Sequence, residues 1–163
     1  MLYIFGGLPG TGKSTLAQRL AADVGAAYLR VDTIEQAIRD EVGQLRGPEG
    51  YMVAYRLATD NLRLGLSVVA DTVNPIPLTR AAWRTAAAAA GAPCVEIHVS
   101  CSDPVAHRRR VEGRPASVPG LAQPTWADVL AREFAPWPEA GVTIDTAGRT
   151  PAQSTADLFA ALG

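Results

Sequence analysis

Residues Gly7-Leu8-Pro9-Gly10-Thr11-Gly12-Lys13-Ser14 follow a short apolar run, Leu2 to Phe5 or Gly6, and precede a segment whose apolar residues Leu16, Leu20 and Val24 recur every four positions. The stretch fits G-x-x-x-x-G-K-[ST] at every fixed position, in the strand, glycine loop and helix order that gives the pattern its physical meaning. Glycines let backbone N–H groups converge on one point, and the helix that starts there adds roughly half a positive charge. Such a loop binds phosphate. Gly7 to Thr15 is therefore the expected triphosphate cradle, with Lys13 reaching the outer phosphates and the Ser14 hydroxyl offered to magnesium. Composition sharpens this expectation, because the chain carries fourteen arginines and a single lysine, Lys13. A flexible ammonium reaches between phosphates as a planar guanidinium does not.

The rest of the chain alternates in the same way. Strands are expected at Ala27–Val31, ending at Asp32, at Ser67–Ala70, ending at Asp71, at Cys94–Val99 and at Val142–Ile144. Helices are expected at Thr33–Val42, Tyr51–Leu64, through Trp83 to Ala90, from Pro104 behind the cap Asp103, at Thr125–Phe134 and at Pro151–Leu162. Gly25 is placed to end the first helix. Short apolar strands alternating with helices predict an α/β sandwich with a parallel sheet covered on both faces. Right-handed crossovers then put the loops after the strands on one edge, where ligands of such sheets bind. The 163 residues, 48% apolar, suit one domain with one well-buried core. Gly113–Pro124, rich in glycine and proline, reads as a lid, with the whole lid region about 104–135.

Net charge is −1, which predicts no general cationic field for nucleic acid or membrane, so an anion site must be local. The start Met1-Leu2-Tyr3-Ile4-Phe5 lacks the pattern of a signal peptide, no run approaches a membrane span, and Cys94 and Cys101 fit neither a disulfide framework nor a zinc site. A cytoplasmic protein with reduced thiols, monomeric or homodimeric, is the expectation.

Asp32 lies on the phosphate-loop edge, where a carboxylate can take the proton of an incoming hydroxyl; it can equally cap the following helix. Asp71 has the placement of an acidic residue that orients magnesium, and the residue after it is Thr72, not the glutamate with which motor ATPases activate water. That pattern favours transfer over hydrolysis. Arg108, Arg109, Arg110 and Arg114 cluster before the lid, and one or two of Arg109, Arg110 and Arg114 are expected to stabilise the transferring phosphoryl group. Arg149 is a candidate for stacking on adenine. His98, His107, Trp83, Trp126 and Trp137 read as structural.

With these residues assembled, the chain resembles the small P-loop kinases related to chloramphenicol phosphotransferase, zeta toxin, gluconate kinase and the polynucleotide 5′-hydroxyl kinases, a group often named AAA-family ATPases. The resemblance runs through the phosphate loop, Val31-Asp32-Thr33, Val69-Ala70-Asp71, Arg109-Arg110-Val111 with Arg114, and Ile144-Asp145-Thr146. It implies a P-loop NTPase three-layer sandwich whose five strands run in order 2-3-1-4-5, a lid bearing phosphate-contacting arginines, ATP and Mg2+ as cofactors, and Asp32 as general base. In polynucleotide kinases and zeta toxins an arginine follows that aspartate by three positions; here the position is Glu35. The departure points towards an uncharged or cationic small-molecule acceptor and away from nucleic acid.

Two other readings stay open at the level of sequence: a nucleotide or polynucleotide 5′-hydroxyl kinase, and an ATP-binding switch or accessory module with little catalysis. A GTPase is disfavoured because the N-K-x-D guanine signature needs a second lysine.

Overall fold

The computed structural model describes residues 1–163. Its strands are β1 (Leu2–Gly6), β2 (Ala27–Arg30), β3 (Val68–Asp71), β4 (Cys94–Ser100) and β5 (Val142–Asp145). The helices are α1 (Lys13–Val24), α2 (Val31–Val42), α3 (Glu49–Arg63), α4 (Pro77–Ala89), α5 (Pro104–Gly113), α6 (Trp126–Ala131) and α7 (Pro151–Leu162). All five strands pair in parallel in the order β2-β3-β1-β4-β5, the order implied by the kinase resemblance.

Strand periodicity explains the two cores. Leu2, Ile4, Val68 and Ala70 point to one face, where they bury against Ala54, Ala58, Leu62 and Trp83 of α3 and α4. Phe5, Val69, Ile97 and Val99 point to the other, against Leu16, Ala17 and Leu20 of α1 and Leu158 of α7. Each fully buried leucine or phenylalanine contributes ~1.5–3 kcal/mol, so the central strands anchor the phosphate loop rigidly at their carboxyl ends.

Register carries the site. Phe5 of β1 pairs with Asp71, and Asp71 pairs in turn with Arg30 of β2, so the carboxyl ends of three strands line up beneath the loop.

Several boundaries move from expectation. β2 ends at Arg30 and α2 begins at Val31, so Asp32 lies in the first turn of the helix and neither ends a strand nor caps the helix. Arg30 is the N-cap residue, with no side-chain cap bond. Val24 is 40% exposed; α1 buries Leu16, Ala17, Leu20 and Ala21 instead, since a step of four drifts off the stripe after two turns. α6 stops at Ala131, three residues short of the expected end, and α3 starts two residues early at Glu49. No helix is long and apolar enough to cross a membrane.

Candidate active site

The phosphate loop leaves β1 at Gly7, where φ is 149° and an added Cβ would stand 2.2 Å from the Val99 carbonyl oxygen. At Gly10, φ is 85° and a Cβ would strike Val111 of α5 at 2.5 Å. Only glycine allows those approaches. The loop is held from outside as well. His107 Nε2 donates to the Pro9 carbonyl at 2.8 Å. The Thr146 hydroxyl, which lies 2.8 Å from the Thr11 carbonyl and 3.0 Å from that of Ser100, receives Arg110 Nη1 at 2.7 Å, while Arg110 Nη2 donates to the Thr146 carbonyl at 2.8 Å. His107 is thus structural, as expected, but its task is to shape the phosphate loop.

Lys13, 8% exposed, donates to Asp71 Oδ1 at 2.7 Å, and the Tyr28 hydroxyl donates to Asp71 Oδ2 at 2.6 Å. Burial alone would raise the Asp71 pKa, but the Lys13 charge and hydrogen bonds from Lys13, Tyr28 and Ser14 outweigh it and hold the carboxyl below its usual range. Tyr28 shows the converse: burial and the Asp71 charge push its phenol well above the ordinary value. Asp71 is 1% exposed and sits behind Lys13 and Ser14.

Tyr28→Phe removes one charge-assisted bond from a buried carboxylate and is expected to cost about 1.5 kcal/mol at neutral pH. The Asp71 pKa then moves up, so the variant should lose stability on acidification at a higher pH than wild type; urea unfolding between pH 7 and pH 4 reads both changes, and an unchanged midpoint throughout would remove Tyr28 from the network.

In front of these groups opens a cleft of about 1190 Å³. That exceeds the ~300–1,000 Å³ of a usual small-molecule pocket, so it has room for a nucleotide and a second molecule side by side. One end is lined by Leu8, Pro9, Gly10, Gly12, Lys13, Ser14 and Thr15 with Arg110, Thr146 and Arg149; the other by Arg30, Asp32, Glu35, Gln36, Arg114 and Ser117. Asp32 is partly exposed, with Oδ2 3.8 Å from Arg30 Nη2.

The structure separates the expected arginines. Arg114 faces the Asp32 end, where burial lowers its pKa most and the Asp32 charge opposes that shift. Arg110 is tied to Thr146 at the other end, and Arg149 lines that end with its guanidinium 3.0 Å from Asp157. Arg109 is exposed and not part of the cleft wall, because one residue along a helix turns the side chain about 100° away from that of Arg110. Arg80 is a buried clamp on the carbonyls of Asn74, Pro75, Ala135 and Pro136. Sequence reasoning missed Tyr28 and Arg30. Their signal was present: they alternate along one strand and so share a face, directly before Asp32.

As for magnesium, no group of three or more His, Cys, Asp or Glu side chains could hold a metal alone. The Ser14 hydroxyl and the Asp71 carboxylate are adjacent hard oxygens. Ser14 suits direct ligation of a small cation that takes its other ligands from phosphates and water, and Asp71, whose two oxygens already accept from Lys13 and Tyr28, suits orienting that water.

The parallel sheet, the glycine cradle and the Lys13–Asp71 pair define a P-loop nucleotide-binding protein. The chain belongs to the AAA domain family AAA_33, which matches residues 2–132. The Mycobacterium tuberculosis protein Rv2004c is 34% identical over 162 residues, covering 90% of this chain; the chain spans about a third, 32%, of that relative's length. Among solved structures, a gluconokinase from Sinorhizobium meliloti superposes with TM-score 0.69 at 16% identity, over 98% of this chain and 90% of its own. Chaetomium thermophilum Kti12, in complex with ADP-AlF3, superposes with TM-score 0.70 at 18% identity over 100% of both chains. The fold is that of small P-loop kinases.

Proposed function

We propose that the protein is an ATP- and Mg-dependent phosphotransferase that moves the γ-phosphate to a hydroxyl of a small molecule. The observation that carries this reading is the pairing, in one cleft, of the Lys13–Ser14 phosphate loop with a solvent-accessible carboxylate, Asp32, at the opposite end. A nucleotide-binding switch has no use for an accessible base across from its triphosphate.

The phosphate loop and Lys13 hold the triphosphate, with Thr15 beside them and Arg149 at the rim where the base would lie. Ser14, with Asp71 behind it, would hold magnesium, which would supply positive charge against the phosphates. Asp32 accepts the acceptor's proton as that hydroxyl oxygen bonds to the γ-phosphorus, and the bond from phosphorus to the β-phosphate oxygen breaks, releasing ADP. Arg114 lies on the Asp32 side, beside the acceptor; Arg110, through Thr146, keeps the loop in shape. Arg109 would need lid movement to take part.

The test is ADP release with magnesium across nucleosides, sugars, hydroxylated antibiotics, hydroxy acids and 5′-hydroxyl oligonucleotides. A small-molecule acceptor that raises release well above background is the expected result. Response to oligonucleotides alone would make the protein a polynucleotide kinase, and ATP binding with no response to a full metabolite library would leave a binding module.

A further inference from the structure

We propose that the acceptor carries an anionic group, a carboxylate or a phosphate ester, beside its reacting hydroxyl, and that Arg30 and Arg114 bind it. The inference rests on the phosphotransferase reading and names the class of its second substrate.

Arg30 is the first observation. Its side chain is only 11% exposed, and the Asp32 and Asp71 carboxylates that pair with its charge each lie 3.8 Å away, beyond the ~2.7–2.9 Å of a charge-assisted hydrogen bond. Asp71 is already engaged by Lys13 and Tyr28. Arg30 Nη2 donates to the Ser117 hydroxyl at 2.8 Å, but its Nε is buried with no hydrogen-bond partner at all. A buried unpaired guanidinium N–H is costly unless a ligand satisfies it.

Arg114 is the second. It lines the same end of the cleft, and its Nε is likewise buried and unpartnered. The two guanidinium groups repel each other, and Asp32 is the carboxylate close to both. Helix α2 adds to this positive corner, because it starts at Val31 without a side-chain cap and its first amides point there. An anion placed against the Arg30 and Arg114 guanidinium groups would relieve the repulsion and hold the adjoining hydroxyl at Asp32.

Arg30 is poorly placed for the triphosphate itself. Arg30 ends the edge strand β2, with β3 between it and the phosphate-loop strand β1. Glu35, which in sequence argued for an uncharged or cationic acceptor, is neutralised within the protein by Arg39 at 3.3 Å. The Glu35 charge is thus already faced by a cation of the protein.

The experiment uses the full chain saturated with magnesium and a non-hydrolysable ATP analogue, so that the γ-phosphate position is filled, and titrates inorganic phosphate or glycolate by calorimetry. At least one of the two should bind, and Arg30→Gln or Arg114→Gln should weaken that binding tenfold or more while analogue affinity stays within twofold. Phosphate binding without glycolate binding marks a phosphate-ester acceptor, and the reverse a hydroxy acid. Arg114 stands at the end of α5, so its variant serves if Arg30→Gln fails to fold. Binding of neither anion, binding that survives both substitutions, or an equal loss of analogue affinity would overturn the proposal while leaving the phosphotransferase reading intact. Failure of wild type to bind the analogue would instead remove that reading, and this one with it.

Discussion

Lys13→Ala is expected to abolish turnover and to destabilise the protein by ~3 kcal/mol at pH 7, the low end of the cost of stripping one partner from a buried ion pair. The first effect follows from the triphosphate losing the one lysine of the chain. The second follows from Asp71, which is 1% exposed and would keep the Tyr28 and Ser14 hydroxyls and, at 3.8 Å, the Arg30 guanidinium. The pH dependence has a definite sign. In wild type the folded Asp71 pKa lies below its ordinary value, so its stabilising contribution is full above the ordinary carboxylate range and is lost as pH falls through the folded value. Without Lys13 the folded pKa rises, so the variant has less of this contribution to lose as pH falls. The variant then gains relative to wild type as pH falls, and the gap between them narrows. Urea unfolding at pH 7 and pH 5 measures this, and Lys13→Ala/Asp71→Asn should regain much of the stability with none of the turnover. Normal turnover in Lys13→Ala would end the phosphate-loop assignment; a stability gap that ignores both pH and Asp71→Asn would mean that the pair does not govern the loss.

The features legible in sequence are those that depend on neighbours along the chain. Gly7–Ser14 is a contiguous motif whose glycines are demanded by the backbone itself, and the alternation of strands and helices follows from local periodicity. Asp32 was legible as a cleft residue but not as part of a helix. Propensity reads Arg30-Val31 as extended, whereas packing of Val31 into the core against α3 and α4 starts the helix two residues earlier. Tyr28, Arg30 and Thr146 were obscure for a different reason. Their roles depend on register: Arg30 matters because it pairs with Asp71 across β2 and β3, and Thr146 because β5 ends beside the phosphate loop. Arginine rank was obscure for the same reason. Arg110 and Arg114 share a helix face by spacing, yet α5 ends at Gly113 and the chain turns extended at Arg114, which sends the two guanidinium groups to opposite ends of the cleft.

Asp32→Asn should keep ATP affinity and lower phosphoryl transfer by ~10² or more, the usual contribution of a general base. Asparagine keeps the size and the hydrogen-bonding oxygen of aspartate but cannot take a proton at neutral pH. The substitution therefore separates two roles that Asp32 holds together. In the first turn of α2 its charge faces the positive helix end, where an exposed carboxylate contributes only a few tenths of a kcal/mol. As base it would carry a large share of the rate. A small drop in melting temperature with a hundredfold loss of transfer is the expected pair of results, read from thermal unfolding and from ADP release with the best acceptor of the panel. Equal turnover in the variant would reduce Asp32 to a helix-end charge, and the base would have to be sought among the acceptor's own groups. Loss of ATP affinity in step with turnover would place Asp32 on the triphosphate, which its position on the edge-strand side of the cleft argues against. Release of Arg30 from Asp32 adds a further distinction: if the acceptor bears an anion, the asparagine variant should bind it as tightly as wild type or more so, because one competing carboxylate is gone. A variant that binds acceptor well and transfers poorly is the behaviour of an enzyme that has lost its base and kept its site.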